Sequence, residues 1–152
     1  MTNVYQQENF AEVLPEAMPL LEAHWQELNN TPGVPLDINL DVYAQAHTAG
    51  SLRVFTARKS SNATLIGYSA VFVHRGLHNS QQQATQDVFY VVPEHRGGMV
   101  GTRLIKFAED ELRREGVQLA YTHSNVKNSL LGRLLMLLGY EPVSITYQRR
   151  LA

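Results

Sequence analysis

The sequence predicts one domain of the α/β class, built on a single mixed sheet. A length of 152 residues, with 44% hydrophobic and 18% charged side chains, suits one globular domain, 1–152, with one core. Residues 87–111, DVFYVVPEHRGGMVGTRLIKFAEDE, have the pattern of a strand, a glycine-rich turn and a helix. The predicted order β-α-α-β-β-β-α-β-α-β mixes the two types of element, and the crossover through that helix is expected to place the next strand parallel.

The first half of the chain is predicted to form a strand, two helices and a hairpin. Residues 3–10 suit a short strand. In residues 10–28 the apolar side chains recur every three or four positions, as on one face of a helix, which Pro15 and Pro19 are expected to bend. After the turn-rich loop 29–35 a second short helix is expected around residues 40–46. Strands at 52–57 and 64–74 then flank the turn KSSNA.

The second half contains the glycine-rich turn and three further elements. Residues 88–92 are β-branched or aromatic, and Pro93 ends this strand because it has no amide donor. A helix is predicted over residues 99–115 and a strand over 117–122. A leucine-rich helix follows from about residues 125–128 and ends at Gly139. The alternation in residues 143–151 predicts a closing strand.

The glycine-rich turn is predicted to bind a phosphate group. The first turn of a helix leaves several backbone N–H groups unpaired at the positive end of the helix dipole. Gly97, Gly98 and Gly101 have no Cβ, so an anion can approach these donors closely, and Arg96 adds a fixed positive charge. The spacing fits neither the P-loop nor the GxGxxG dinucleotide pattern. An ordinary glycine-rich turn without a ligand is the alternative.

Composition excludes several other classes of protein. With 13 basic and 14 acidic residues the formal charge is −1, so neither nucleic acid nor a membrane surface is an expected partner. The absence of cysteine excludes disulfides, a thiolate nucleophile and a cysteine zinc site, and it is compatible with a cytoplasmic location. Six scattered histidines give no metal-binding pattern, so no metal is expected. We also expect no leader and no membrane span.

The segment R-G-G-M-V-G, after a strand ending in V-V-P, resembles motif A of the Gcn5-related N-acetyltransferases, Q/R-x-x-G-x-G/A. Arg96 takes the first position and Gly101 the last, whereas Met99 stands where that family usually has its first glycine. The order of elements is similar to that family over nearly the whole chain. The resemblance implies the acyl-CoA N-acyltransferase fold, which is a mostly antiparallel mixed sheet with a central splayed parallel pair and helices on both faces.

The resemblance also implies acetyl-CoA as a co-substrate. In that family the pantetheine arm pairs with backbone exposed where the two parallel strands splay, and the turn holds the pyrophosphate. By this resemblance the residues implied in cofactor binding are Val91, Val92, Arg96, Gly97, Gly98, Met99, Val100, Gly101, Thr102 and Asn128.

Two candidates for the general base are implied. Asp87 lies near the start of the strand that precedes the glycine-rich turn. It is an even number of residues from Val91, so both side chains are expected on one face of that strand. His78 precedes the strand in a loop and has an imidazole suited to proton transfer near neutral pH. A solvated carboxylate and a surface histidine are the alternatives. His24 and Glu27, three residues apart on one helix face, are the implied acceptor-binding residues.

The implied function is acetyl transfer to a primary amine of a small molecule or, less favoured, of a protein. The resemblance is also compatible with a homodimer. The family often has a tyrosine on the last helix as general acid, but Leu135 takes that position here. A non-catalytic acyl-CoA-binding module of the same fold is therefore the alternative function.

Overall fold

The computed structural model describes residues 2–127 and 129–152 of the chain. These residues form five strands, four α-helices and a short 3₁₀ turn. In chain order they are β1 Asn3–Glu8, α1 Phe10–Leu28, α2 Leu40–Thr48, β2 Leu52–Lys59, β3 Leu65–Arg75, β4 Gln82–Val91, the 3₁₀ turn Pro93–His95, α3 Val100–Arg114, β5 Leu119–Tyr121 and α4 Ser129–Leu137.

The strands lie in one sheet in the order β1-β2-β3-β4-β5. The first four strands pair antiparallel with their neighbours, and β5 pairs parallel to β4. The predicted α/β fold with a mixed, mostly antiparallel sheet is therefore confirmed. The parallel pair lies at one end of the sheet rather than at its centre, because β5 is the last strand of the sheet.

The closing strand predicted over residues 143–151 is wrong. The structure assigns no strand to the described residues after Leu137. Val143, Ile145 and Tyr147 are 73%, 71% and 87% exposed. Their alternation resembles that of a half-buried strand, but a strand exists only where a neighbouring strand accepts its hydrogen bonds, and the sequence pattern carries no information about that neighbour.

Helices cover both faces of the sheet. Adjacent residues of a strand point to opposite faces, so Val54 belongs to one core and Phe55 to the other. The core beneath α3, here the α3-side core, comprises Phe55, Ala57, Ile66, Val71, Val73, Ala84, Val91, Val100, Leu104, Ala108 and Leu112. The core beneath α1 and α2, here the α1-side core, comprises Val13, Ala17, Leu52, Val54, Leu65, Tyr68, Ala70 and Tyr90.

The chain divides into two compact units, one up to Thr122 and one of residues 123–152. The first unit contains the sheet and helices α1 to α3. The second contains α4, which ends at Leu137, two residues before the predicted Gly139. At Gly139 φ is +95°, and the amide of Tyr140 donates to the carbonyl of Leu135 at 3.0 Å. The interpretation of residues 1–152 as one domain stays a prediction.

Candidate active site

A β-bulge interrupts strand β4 at Asp87. On β3 the adjacent residues Ala70 and Val71 pair with Val88 and Gln86, so Asp87 is an extra residue without a partner in the ladder. An extra residue reverses the alternation of side chains along the strand. Asp87 contacts the α1 side of the sheet, whereas Val91 belongs to the α3-side core. The expectation that Asp87 and Val91 share a face is therefore wrong, since it assumed an uninterrupted strand.

The half-buried carboxylate of Asp87 accepts a hydrogen bond from a tyrosine on α2. Its Oδ2 lies 2.5 Å from the hydroxyl oxygen of Tyr43, whose ring stacks on Phe10 at 5.4 Å between centroids. Burial, together with this hydrogen bond, raises the pKa of Tyr43, so the phenol keeps its proton and remains a donor. The helical pattern expected around residues 40–46 includes Tyr43 and gives its hydroxyl no partner. A tyrosine on an apolar face needs a polar partner for its hydroxyl, and that requirement was the available signal.

The edge of β4 that faces β5 is open beyond the bulge. The last backbone pair of the two strands is Thr85 with Tyr121, after which Thr122 donates a side-chain hydrogen bond to Gln86. In the described part of the chain β4 then continues to Val91 with no strand on that edge. β4 and β5 therefore pair only from Gln83 to Thr85, and the splaying of the parallel pair stays a prediction.

The open edge offers backbone groups of specific residues. The amide of Val92 donates to Ile66 of β3 at 2.9 Å, so the backbone groups of Val92 and Tyr90 face β3. Successive residues of a strand direct these groups to opposite edges, which leaves Phe89 and Val91 facing the open side. The carbonyl of Val91 accepts a 2.7 Å hydrogen bond from Nε of Arg96. Val91 therefore faces the edge along which the pantetheine arm is expected, whereas the amide of Val92 is bonded to β3 and does not face that edge.

Beyond β4 the chain turns and presents the N-terminus of α3. Gly97 has a φ of +83°, a value that only glycine adopts without strain, and a Cβ on Gly97 or Gly98 would meet no heavy atom within 4 Å. No side chain caps the helix, and its first turn contains no acidic residue. The first-turn amides of Val100, Gly101 and Thr102 are thus donors at the positive end of a helix, which suits a phosphate group.

Met99 is compatible with this turn. Its backbone has φ −96° and ψ 0°, values that do not require glycine, and its side chain is 53% exposed. Met99 is the N-cap residue of α3 and makes no side-chain capping bond. The replacement of the usual glycine therefore introduces no backbone strain.

The guanidinium of Arg96 donates hydrogen bonds to both Glu27 and Val91. Its Nη1 and Nη2 atoms lie 2.6 and 2.7 Å from the carboxylate oxygens of Glu27, and its Nε donates to Val91. The guanidinium also lies 5.1 Å from the ring centroid of Tyr90. Arg96 thus links the end of α1 to the glycine-rich turn before α3. Its charge is paired with Glu27, a residue predicted to bind the acceptor.

His24 lies beside Glu27 on the same face of α1, as predicted. Its ring stacks on Tyr90 at 4.8 Å between centroids, and its Nδ1 is 3.4 Å from the hydroxyl oxygen of Tyr68. These contacts form an aromatic cluster on the α1 side of the sheet. The cluster contains His24, Tyr68 and Tyr90, and the pair Tyr43 and Asp87 lies on the same side of β4.

The structure does not bring His78 to this region. His78 is exposed in the turn before β4, whereas the glycine-rich turn lies beyond the other end of β4. Asp87 is five residues beyond the start of β4 at Gln82, which corresponds to roughly 17 Å of strand.

Two further positions named in the sequence analysis lie towards the end of the chain. Asn128, a predicted cofactor-binding residue, lies outside the described residues. Leu135, at the position of the family's tyrosine, is a buried residue of α4.

Across residues 2–127 and 129–152, no group of three or more His, Cys, Asp or Glu side chains is arranged to hold a metal ion. Among the helices of these ranges, none has both the length and the apolar character required to cross a bilayer.

The sequence of this chain resembles those of acetyltransferases. Residues 10–138 match the model of the acetyltransferase (GNAT) family. Aminoalkylphosphonate N-acetyltransferase of Salmonella typhimurium is 24% identical over 90 residues, which span 59% of this chain and 58% of that protein.

Solved structures share the fold along the whole chain. The aminoglycoside N-acetyltransferase AAC(6')-Iy, in complex with a bisubstrate analogue of CoA and acetylneamine, is 21% identical, with a TM-score of 0.75 and 99% of each chain covered. The ribosomal-protein-alanine N-acetyltransferase of Brucella melitensis is 17% identical, with a TM-score of 0.78, covering 100% of this chain and 99% of the other.

Proposed function

The chain belongs to the acetyltransferase (GNAT) family, and from that premise we propose that it transfers an acetyl group from acetyl-CoA to a primary amine. The observation that carries the proposal is that a predicted phosphate site, an open strand edge and a carboxylate follow one another along β4. The uncapped N-terminus of α3 lies just beyond the end of β4, the open edge of β4 leads away from it, and the Asp87 carboxylate stands at the bulge.

We assign acetyl-CoA to this path as the co-substrate. The pyrophosphate would accept hydrogen bonds from the first-turn amides of α3, at Val100, Gly101 and Thr102. The pantetheine arm would pair with the open edge of β4 at Phe89 and Val91, as an additional strand pairs with a sheet edge. This assignment is supported by Gly97 and Gly98, whose missing side chains leave the approach to the helix open. The neighbour AAC(6')-Iy has also been solved with CoA.

We assign the role of base to Asp87. A neutral amine nitrogen attacks the thioester carbonyl carbon, the new C–N bond forms, and the C–S bond breaks to release the CoA thiolate. The proton of the amine passes to the Asp87 carboxylate, directly or through a water molecule. The thiolate of a thiol with a pKa of about 8.5 leaves without a dedicated acid, which is consistent with Leu135 on α4.

We propose a small-molecule acceptor. The named relatives act on amines of several kinds, which include an aminoalkylphosphonate, aminoglycosides and a ribosomal protein's alanine. Asp87 is a carboxylate that no arginine or lysine pairs with among the described residues, and aromatic rings line the same side of the sheet. A carboxylate beside aromatic rings favours a cationic amine over an acceptor whose charge is negative near the reacting nitrogen.

The experiment follows release of CoA with a thiol reagent while the protein is incubated with acetyl-CoA and single amines. Because the chain contains no cysteine, the protein itself adds no thiol signal. The panel contains sisomicin, an aminoalkylphosphonate, a simple polyamine and a peptide with an N-terminal alanine. Release of CoA that saturates with the concentration of one amine class supports the proposal. Release of CoA no faster than in the same mixture without protein contradicts it.

The alternative, a non-catalytic acyl-CoA-binding module, is favoured by one observation. Leu135 has no group that can protonate a leaving thiolate, at the position where the family resemblance would have a tyrosine. This alternative predicts saturable binding of acetyl-CoA with no acceleration by any amine in the panel.

We also propose a cytoplasmic location and a homodimer. Acetyl-CoA must be available where the reaction takes place, and a chain without cysteine is compatible with the cytoplasm. The exposed apolar residues Val143, Ile145 and Tyr147 support an additional interface, since exposed apolar groups of this kind mark contact surfaces. Light scattering of the purified protein gives the mass, and the mass of one chain alone would contradict the homodimer.

A further inference from the structure

The hydroxyl of Tyr43, which the family resemblance does not assign, is bonded to the carboxylate that the proposed reaction uses. We propose that Tyr43 is a positioning residue that holds the Asp87 carboxylate in its reactive orientation. This inference rests on the proposed function of Asp87 and extends it to helix α2.

The need for such a residue follows from the bulge. Asp87 has no cross-strand partner in the ladder between β3 and β4, so the ladder does not fix its orientation as it fixes that of its neighbours. The hydrogen bond to Tyr43 supplies a fixed point instead, at 2.5 Å between the two oxygens. The bond occupies Oδ2, and we assign Oδ1, for which no bond is recorded within residues 2–127 and 129–152, to the acceptor amine or a water molecule.

Tyr43 is itself held by its surroundings. Its ring stacks on Phe10 with an interplanar angle of 15° and lies 5.9 Å from the ring of Phe72. A rigid ring loses little conformational entropy when its hydroxyl engages a partner. Its raised pKa keeps the hydroxyl protonated, so Tyr43 donates throughout the range in which the protein works. Tyr43 therefore fixes Asp87 without exchanging a proton with it.

A kinetic double-mutant cycle separates this role from a purely structural one. The variants are Tyr43→Phe, Asp87→Ala and the double variant, assayed by CoA release with the best amine of the panel. Alanine is used because asparagine could still accept the hydrogen bond and would leave the interaction in place. Tyr68→Phe is the matched control, because the hydroxyl of Tyr68 lies near His24 and not near Asp87.

Tyr43→Phe is expected to lower kcat about tenfold in the wild-type background and less than twofold in the Asp87→Ala background. Its KM for acetyl-CoA should change less than twofold. Tyr68→Phe should change kcat by the same factor in both backgrounds. An equal loss from Tyr43→Phe in both backgrounds, or no loss in either, would overturn the inference.

Asp87→Glu tests the same inference without altering Tyr43, in case Tyr43→Phe fails to fold. The variant keeps the charge and moves the carboxylate by one methylene. A loss of at least tenfold in kcat supports a positioned carboxylate, and activity within twofold of the wild type overturns the inference. Failure of the proposed function is a separate result, because the wild type itself would then release no CoA with any amine.

Discussion

The guanidinium of Arg96 and the carboxylate of Glu27 form a two-point ion pair with distances of 2.6 and 2.7 Å. The pair joins the last turn of α1 to the segment between β4 and α3, so the proposed acceptor side and the proposed cofactor side share a contact. The motif arginine therefore acts first as a structural link in this protein. Any effect of an Arg96 substitution on acetyl-CoA binding includes the loss of this link.

The ion pair predicts a pH-dependent contribution to stability. The hydrogen bonds from Arg96 hold the pKa of Glu27 below its ordinary value. A depressed pKa in the folded state means that the contribution is complete above the unfolded pKa of about 4.3 and is lost as the pH falls through the folded pKa. Because both side chains are more than one third exposed, solvent screening limits the pair to roughly 0.2–1 kcal/mol.

Thermal unfolding of Glu27→Gln measures this contribution. The variant should melt at most about 3 °C below the wild type at pH 7, and the difference should disappear near pH 2.5. Glu22→Gln is the control, since Glu22 on the same helix accepts from the neutral amide of Gln26. A deficit of Glu27→Gln that persists unchanged at low pH would contradict the assignment to the ion pair.

Removal of the charge at Asp87 should reduce turnover and leave the cofactor site intact. Asp87→Asn is expected to lower kcat by roughly 10²- to 10⁴-fold, the usual contribution of a general base. Its Kd for acetyl-CoA, measured by calorimetry, should stay within twofold of the wild type. Wild-type kcat in this variant would exclude Asp87 as the base.

His78→Ala tests the second candidate base. Its position in an exposed turn at the far end of β4 predicts a kcat within twofold of the wild type. A loss comparable to that of Asp87→Asn would instead show that this turn reaches the reacting amine. The CoA-release assay with the same amine gives both numbers.

Met99→Gly restores the usual family residue in the turn. The backbone of Met99 does not need glycine, and its side chain is largely in solvent. The Kd for acetyl-CoA should therefore change less than threefold. Binding at least tenfold tighter in the variant would mean that the methionine crowds the phosphate.

The secondary structure of this protein follows from its sequence wherever the signal is local. Helix α1 has the predicted bounds, residues 10–28, because its apolar face repeats every three or four positions. Strand β4 begins at Gln82, earlier than predicted, since its first residues are mostly polar and gain strand structure only by pairing with β3 and β5. Pairing partners are not encoded in the local pattern.

The site shows the same division. The glycine-rich turn and the helix after it were predicted from the sequence, since positive φ values and helix ends have local signatures. The bond of Asp87 to Tyr43 and the pairing of Arg96 with Glu27 join residues 44 and 69 positions apart, and the bulge at Asp87 depends on the pairing of β4 with β3. Such contacts arise from tertiary structure and have no local signature.

The measurement that tests the central claim most directly is calorimetric titration of acetyl-CoA into the wild type, Gly101→Asp and Gly101→Ala. An aspartate in the first turn of α3 is compatible with the helix dipole, so the variant should fold, but its carboxylate would repel the pyrophosphate by several kcal/mol. We predict saturable binding by the wild type, weakening of more than 100-fold in Gly101→Asp, and a Kd within fivefold of the wild type in Gly101→Ala. Equal affinity in the wild type and Gly101→Asp, or no binding by the wild type, would contradict the account.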